Sequence, residues 1–205
     1  ENKIIYFQPR NGYRSGIEPI ILASQANHEH KSILDLGSGC GPISLILAYR
    51  LPNSKIIGLE NNKLHLELSL KSKLENNLYN VEFKNEDVCI FNDKYVNYFD
   101  LVLSNPPFFF ENQIIKSKNE SINNAKYISK EKSEKWFQNL ILYLNDNGRA
   151  LIINRFENVE FMLQIFRLYN LLVEITPILS FKDTKPKNVL LSLKKNEKYV
   201  EKTKN

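Results

Sequence analysis

The stretch Ile33-Leu-Asp-Leu-Gly-Ser-Gly-Cys-Gly-Pro restricts the possible folds more than any other part of the chain. An apolar run, a turn with glycine at every second position and a proline-led helical pattern follow in the order strand, turn, helix. This order carries backbone close to a bound nucleoside. Gly37, Gly39 and Gly41 can take torsions closed to other residues, or leave room where a Cβ would meet the ligand. Pro42 suits the first turn of a helix, where an amide hydrogen has no partner in any case. Asp35 stands two residues before the first glycine. A carboxylate there repels pyrophosphate, so the turn departs from the dinucleotide fingerprint, but it can accept from an amine through water. The ligand expected here joins a nucleoside to a positively charged amino-acid portion.

The rest of the chain alternates short apolar runs with helical patterns, which indicates an α/β domain with a mostly parallel sheet and helices on both faces. Strands are expected at Ser32–Leu36, Lys55–Glu60, residues 81–84, Phe99–Ser104 and residues 149–154. Helices are expected at residues 43–50, 63–76, 134–144 and 157–168. In the second helix Leu64, Leu68 and Leu74 supply part of an apolar face. Residues 171–175 and 189–193 are strand-like and have no helical pattern between them, so an antiparallel pair at the sheet edge is expected. Residues 111–132 are rich in Asn, Lys and Ser and lack a period, which reads as a long functional loop.

At 205 residues, 42% of them hydrophobic, the chain can bury about 70% of its unfolded surface in one domain and needs no disulfides. Cys40 and Cys89 have neither the number nor the spacing of a disulfide framework or a four-ligand zinc site. A reducing, cytoplasmic location and no metal are expected. No run approaches the roughly twenty apolar residues of a membrane helix, so no membrane association is expected. The first ten residues lack a signal pattern and read as a trimmed start. Residues 1–205 are taken as one domain, with 1–31 as a segment beside the site and 194–205 as a basic tail; a monomer is favoured. Residues 182–205 hold eight lysines against Asp183, Glu197 and Glu201, which accounts for the whole net charge of +5. Such an end either steers a polyanion toward one face or is a solvated lysine tail.

Two more acids fall in step with the strands. Glu60 ends the second strand, where it can accept both hydroxyls of a ribose, and Asp87 follows the third, where it can accept from an adenine amino group. With the glycine turn, these residues make the chain resemble the class I S-adenosylmethionine-dependent methyltransferases. The resemblance implies a Rossmann-like, seven-stranded sheet with its last strand antiparallel, S-adenosylmethionine above the first strands and catalysis after the fourth. It also implies that Gly37, Ser38 and Gly39 line the methionine portion, with Asp35 nearby. Glu60 and Asn61 would serve the ribose, and Asp87 with Val88 the adenine. Arg14, Gly16 and Asn105 complete the implied cofactor set, although Arg14 can equally sit at a helix end. Cys40 stands where relatives usually carry a small residue.

Ser104-Asn-Pro-Pro-Phe-Phe-Phe follows the fourth strand. Two prolines fix consecutive φ angles and remove two donors, leaving a rigid turn. The Asn105 side-chain oxygen and the Pro106 carbonyl can accept both hydrogens of an exocyclic amine, with Pro107 stiffening the turn and Phe108 lying against a base. An aromatic amine attacks a sulfonium methyl poorly until its nitrogen becomes tetrahedral, and two acceptors favour that change. The motif resembles that of methyltransferases acting on amino or amide nitrogen. Their substrates are adenine N6 in DNA or RNA, guanine N2 in ribosomal RNA, and a glutamine amide in release factors.

Three further segments are similar to the bacterial transfer-RNA adenine-N6 methyltransferases that modify the adenosine beside the anticodon of a valine tRNA. They are Gly12-Tyr-Arg-Ser-Gly-Ile-Glu-Pro-Ile-Ile-Leu-Ala, Ala125-Lys-Tyr, and Lys185-Pro-Lys-Asn-Val-Leu-Leu-Ser. Relatives usually have Asp at Glu18. The resemblance implies tRNA as partner, with Phe108, Phe109, Lys126, Tyr127, Lys185 and Lys187 toward the substrate. Tyr127 can stack on a flanking base or pack the loop down. Release-factor enzymes generally carry a helical domain before the core, and about 30 residues precede the first strand here, which weighs against that target. A scaffold protein without activity would have lost some of these residues, whereas Gly37, Gly39, Glu60, Asp87 and Asn105-Pro-Pro-Phe are all present.

Overall fold

Neighbouring residues of the first strand serve two different cores: Ile33 packs into one, Leu34 and Leu36 into the other. A strand apolar on both faces must be covered on both, and the chain does this with helices. The computed structural model describes residues 3–11, 14–107, 109–110, 127–179, 181 and 184–196. Strands β1 (Ser32–Leu36), β2 (Lys55–Glu60), β3 (Val81–Asn85) and β4 (Phe99–Ser104) come first in the main sheet. The short strands β5 (Phe109–Phe110) and β6 (Tyr127–Ile128) pair with each other, and β7 (Leu144–Arg155), β8 (Leu171–Ile178) and β9 (Asn188–Lys195) complete the main sheet. Its order is β3-β2-β1-β4-β7-β9-β8. All neighbours run parallel except β9, which is antiparallel to both β7 and β8. This is the Rossmann-like, seven-stranded α/β domain expected from the sequence.

Helices α1 (Glu18–Ser24) and α2 (Pro42–Arg50) share one core with Ile33, Leu101 and Leu103, and α3 (Lys63–Glu75) flanks the same face. Helices α4 (Lys130–Tyr143) and α5 (Val159–Arg167) cover the other face through Phe137, Leu140, Met162 and Phe166. The chain winds in opposite directions from β1, toward β2 and β3 on one side and β4 on the other. A crevice therefore opens at the carboxyl ends of β1 and β4, where open α/β sheets bind ligands.

Several boundaries differ from the expected ones, each for a local reason. Helix α4 starts at Lys130 rather than residue 134, because the Ser129 side chain accepts from Lys132 N at 3.2 Å and caps it. Of the loop expected over residues 111–132, residues 111–126 lie outside the described residues, and residues 127–128 form β6, with Tyr127 in parallel register with Phe109. Strand β7 begins at Leu144, taking in the turn expected at 145–148, because Phe99 of β4 already pairs with Leu144. Helix α1 was not expected. Its signal is Pro19 in the first turn beside the acidic Glu18.

Helix α2 has an unusual start. Its cap residue is Gly41, at φ 82°, which has no side chain to satisfy the first amides. Asp35 of β1 supplies the acceptor instead, through Oδ2 to Ser44 N at 3.1 Å and Ser44 Oγ at 2.7 Å. A Cβ on Gly41 would stand 2.6 Å from the Phe83 ring. Gly41→Ala is therefore expected to lower the free energy of unfolding by about 3 kcal/mol, combining left-handed strain with overpacking, as measured by urea titration.

Candidate active site

The ends of β1, β2, β3 and β4 bring the glycine turn, Glu60, the Asp87 loop and the Asn-Pro-Pro turn to one rim of the sheet. The glycine turn is tied to β2 by its own backbone. Gly37 N and Ser38 N both donate to Leu59 O, at 3.1 and 2.8 Å. Gly39 N donates to Glu60 Oε2 at 2.8 Å, and Asn62 N to Glu60 Oε1 at 2.7 Å. Each carboxylate oxygen keeps a further lone pair, so the buried Glu60 can still accept from two hydroxyls. Asn61, between Glu60 and the helix-capping Asn62, is exposed.

A Cβ placed at each glycine maps the walls of the turn. At Gly37 it would fall 2.3 Å from Trp136 Cζ2, and at Gly41 it would meet Phe83. At Gly39 it would meet nothing within 4 Å. The turn is sealed by aromatic rings at two corners and open at the third. Ser38 Oγ and Asp35 Oδ1 are buried and have no hydrogen-bond partner among the described residues. One unpaired hydroxyl and one unpaired carboxylate oxygen make a set of acceptors that fits an ammonium group, such as that of S-adenosylmethionine. Burial pushes the Asp35 carboxyl up to about 7, against the lowering effect of its Ser44 hydrogen bonds. Burial and then the Glu60 charge push the Cys40 thiol up to about 12, so it stays protonated at neutral pH.

After β3, Asp87 Oδ1 accepts from Cys89 N at 2.9 Å and folds the loop. Val88 is buried, and its carbonyl accepts from Asn139 Nδ2 of α4 at 2.8 Å. At the end of β4, Asn105 is half-buried, and its Oδ1 is buried with no partner among the described residues. Pro106 is buried beside it. Ser104 Oγ donates to Leu36 O at 2.7 Å, which binds the end of β4 to the residue before Gly37. The glycine turn and the Asn-Pro-Pro turn are thus held together at their roots.

The remaining expected residues are distributed unevenly. Arg14 is exposed and makes no ion pair among the described residues. Gly16 lines an apolar pocket of about 250 Å³ between the amino-terminal segment and α2, with Tyr6, Ser15, Pro42 and Leu45. Tyr6 Oη and Ser15 Oγ share a 2.8 Å hydrogen bond in that segment. Phe109 and Tyr127 are brought into backbone register, whereas Phe108 and Lys126 lie outside the described residues. Lys185 and Lys187 are exposed on the approach to β9. Among the described residues no three His, Cys, Asp or Glu side chains gather as a metal site, and no helix is long and apolar enough to cross a membrane.

Four residues at the site were not anticipated from the sequence: Ser44, Ser104, Trp136 and Asn139. Ser44 had a readable signal, since it falls three residues after the cap, where an unpaired amide needs an acceptor. Trp136 is the sole tryptophan of the chain and sits in an otherwise charged stretch, which is a weaker signal.

Asp35 gives the site a measurable pH dependence. Its folded-state value lies above the unfolded value of 3.8, so the native state holds the proton more tightly, and this contribution falls as pH rises from about 4 and is gone above about 7. Urea unfolding should show stability declining from this group as pH rises from about 4, by on the order of 1 kcal/mol per unit, and levelling off through about 7. In Asp35→Asn, which keeps an acceptor for Ser44, that decline should disappear.

Comparison with known proteins agrees with this geometry. The family model described as "Methyltransferase small domain" matches residues 19–169. A release factor glutamine methyltransferase of Fusobacterium nucleatum is 35% identical over 85 residues, covering 42% of this chain and 24% of that protein. A tRNA1(Val) (adenine(37)-N6)-methyltransferase of Haemophilus influenzae (strain PittEE) is 28% identical over 184 residues, covering 86% of this chain and 75% of that protein. The crystal structure of a predicted O-methyltransferase from Agrobacterium tumefaciens superposes with a TM-score of 0.67 at 19% identity, over 85% of this chain and 79% of that one. Together, the match over residues 19–169 and the sheet order with its antiparallel β9 mean that the chain belongs to the methyltransferase small domain family and has the class I methyltransferase fold.

Proposed function

We propose that the chain transfers a methyl group from S-adenosylmethionine to the N6 amino group of an adenosine in tRNA, the one beside the anticodon of a valine tRNA. The observation that carries the chemistry is Asn105 Oδ1: a buried acceptor with no partner among the described residues, on a turn stiffened by two prolines and tied through Ser104 to the glycine turn. A buried carbonyl oxygen without a donor is costly, and an incoming N–H removes that cost. The substrate class is supported by the Haemophilus relative, which is similar over 86% of this chain, whereas the release-factor relative is similar over 42%.

The residues divide the work as follows. Ser38, Gly39 and Asp35 hold the amino-acid end of the donor, Glu60 its ribose, and Asp87 with Val88 its adenine. The donor supplies an electrophilic sulfonium methyl. Asn105 Oδ1 and the Pro106 carbonyl accept the two N–H bonds of the target amine, which localises the nitrogen lone pair and favours the developing positive charge. Neither group needs to remove a proton beforehand: the S–CH3 bond would break as the N–CH3 bond forms, S-adenosylhomocysteine would leave, and the methylated nitrogen would then shed its extra proton to water. Phe108 orients the base by stacking, which offsets part of the cost of unstacking it from its neighbours. The exposed Lys185 and Lys187, with Lys126, attract the phosphate backbone and should make binding steeply salt-dependent.

Three measurements test this reading. Incubation with labelled S-adenosylmethionine and unmodified total tRNA, followed by nuclease digestion and mass assignment, should place the label in N6-methyladenosine; label appearing only in ribosomal RNA, DNA or a release factor would reassign the substrate. Asn105→Ala should lower kcat about 100-fold while leaving the cofactor Kd within about twofold, because its acceptor acts on the amine. Since Asp35 must lose its proton to face an ammonium group, cofactor affinity should rise as pH increases from 6 to 8. Calorimetry in buffers of different ionisation enthalpy should detect proton release on binding, and Asp35→Asn should flatten the pH profile.

A further inference from the structure

Helix α4 reaches the site from the face of the sheet opposite α2, and Trp136 is where it arrives. The indole Nε1–H donates to Ser104 Oγ at 2.9 Å, and that hydroxyl donates to Leu36 O at 2.7 Å. Ser104 therefore spends its one donor on the end of β1 and one of its acceptor positions on α4, immediately before Asn105. The same indole lies on Gly37, so close that a Cβ there would stand 2.3 and 2.5 Å from Cζ2 and Cη2. Glycine at 37 thus serves two ends, since its φ of 79° requires it and the ring occupies the space a side chain would take. One side chain touches the cofactor turn with its ring and the root of the amine-acceptor turn with its N–H.

We propose that Trp136 is the positioning residue of the methyl-transfer step: its ring forms the wall of the donor pocket at Gly37, and its N–H, acting through Ser104, sets Asn105 relative to that pocket. This deepens the methyltransferase reading and rests on it. The geometric need is clear. Donor and acceptor turns sit on different strands, and a displacement of the order of 1 Å between them can cost about 100-fold in rate. Hydrogen bonding of the β1–β4 pair covers Ile33 to Asp35 and Leu101 to Leu103, so it stops just short of both turns. The Trp136–Ser104–Leu36 chain continues the register for one more residue on each strand, up to the reacting groups.

Trp136 also makes the inference testable without an acceptor substrate. As the sole tryptophan of the chain, it reports its surroundings directly when emission is excited at the red edge, where tyrosine does not absorb. Titration of the full chain with S-adenosylhomocysteine should change its emission with the same Kd that calorimetry gives. Calorimetric binding with unchanged emission would remove Trp136 from the pocket wall.

The positioning role is read from kcat. Trp136→Phe removes the N–H together with Cζ2 and Cη2, the atoms that lie on Gly37, so the S-adenosylhomocysteine Kd should rise, and kcat at saturating donor should fall about fivefold, the value of one ordinary hydrogen bond. In a Ser104→Ala background the same substitution should cost no further factor, because its route to Asn105 is already cut. Equal losses in both backgrounds, or no loss in either, would overturn the proposal and leave Trp136 as a packing residue. An enzyme that methylated a protein amide instead of tRNA would contradict the substrate reading alone, since the fluorescence and the paired backgrounds can be read with whichever acceptor is used.

Discussion

The attachment of the glycine turn to the end of β2 is the constraint around which the site is arranged. Three consecutive amides, Gly37, Ser38 and Gly39, are satisfied by Leu59 O and by the Glu60 carboxylate. Such a tight reversal leaves these amides pointing away from any helix or strand partner, so without β2 they would be unpaired close to the core. Because Glu60 also holds Asn62 N, a single side chain fixes the glycine turn and the entry to α3 together. The order of the sheet then matters functionally. With β2 on one side of β1 and β4 on the other, the glycine turn and the Asn-Pro-Pro turn cannot be far apart.

The two faces of the sheet contribute different things to this rim. From one side, α2 is started by Asp35, a strand residue that stands in for the missing cap of Gly41 and keeps its second oxygen unpaired. From the other side, α4 reaches two separate turns, with Trp136 on Ser104 and Asn139 on the carbonyl of Val88. These two residues are three apart, so they lie on one stripe of the helix, and a single rigid element sets the spacing between the loop after β3 and the Asn-Pro-Pro turn. Of the six buried side-chain atoms left without partners among the described residues, those on Asp35, Ser38 and Asn105 occur at this rim, where ligand atoms can satisfy them, and the others are on Ser32, His65 and Asp100. Asn80 Nδ2, by contrast, lies within reach of three carbonyls.

Much of this was legible from local pattern. Strands β1, β2 and β4 have the bounds read from their apolar runs, and the antiparallel edge was readable from the gap between two strand-like segments that no helix could fill. The glycine turn, Glu60, Asp87 and Asn105 were read at successive strand ends, because such a turn needs unusual torsions and a strand end needs a polar terminus, and the fold brings them to one rim of the sheet. What escaped was of another kind. Helix α1 is too short for a helical period to emerge, and the start of α4 is set by one serine cap after a two-residue strand. Ser104, Trp136 and Asn139 look like ordinary strand and helix residues, and only their partners, tens of positions away, give them a role.

By itself the sequence determined the layer order of the domain and the chemistry at each strand end, because apolar period, glycine torsion and proline geometry act over a few neighbouring residues. Tertiary structure decided which of those chemical groups remain free. Asp35 could have been a simple helix partner, but only one of its oxygens meets Ser44, and the other is buried with nothing to accept from. Tertiary structure also decided that a tryptophan on a charged helix should seal the glycine turn and hold Ser104. A hydrogen bond between residues 104 and 136 depends on how the helix packs across the sheet, and no local pattern encodes that distance.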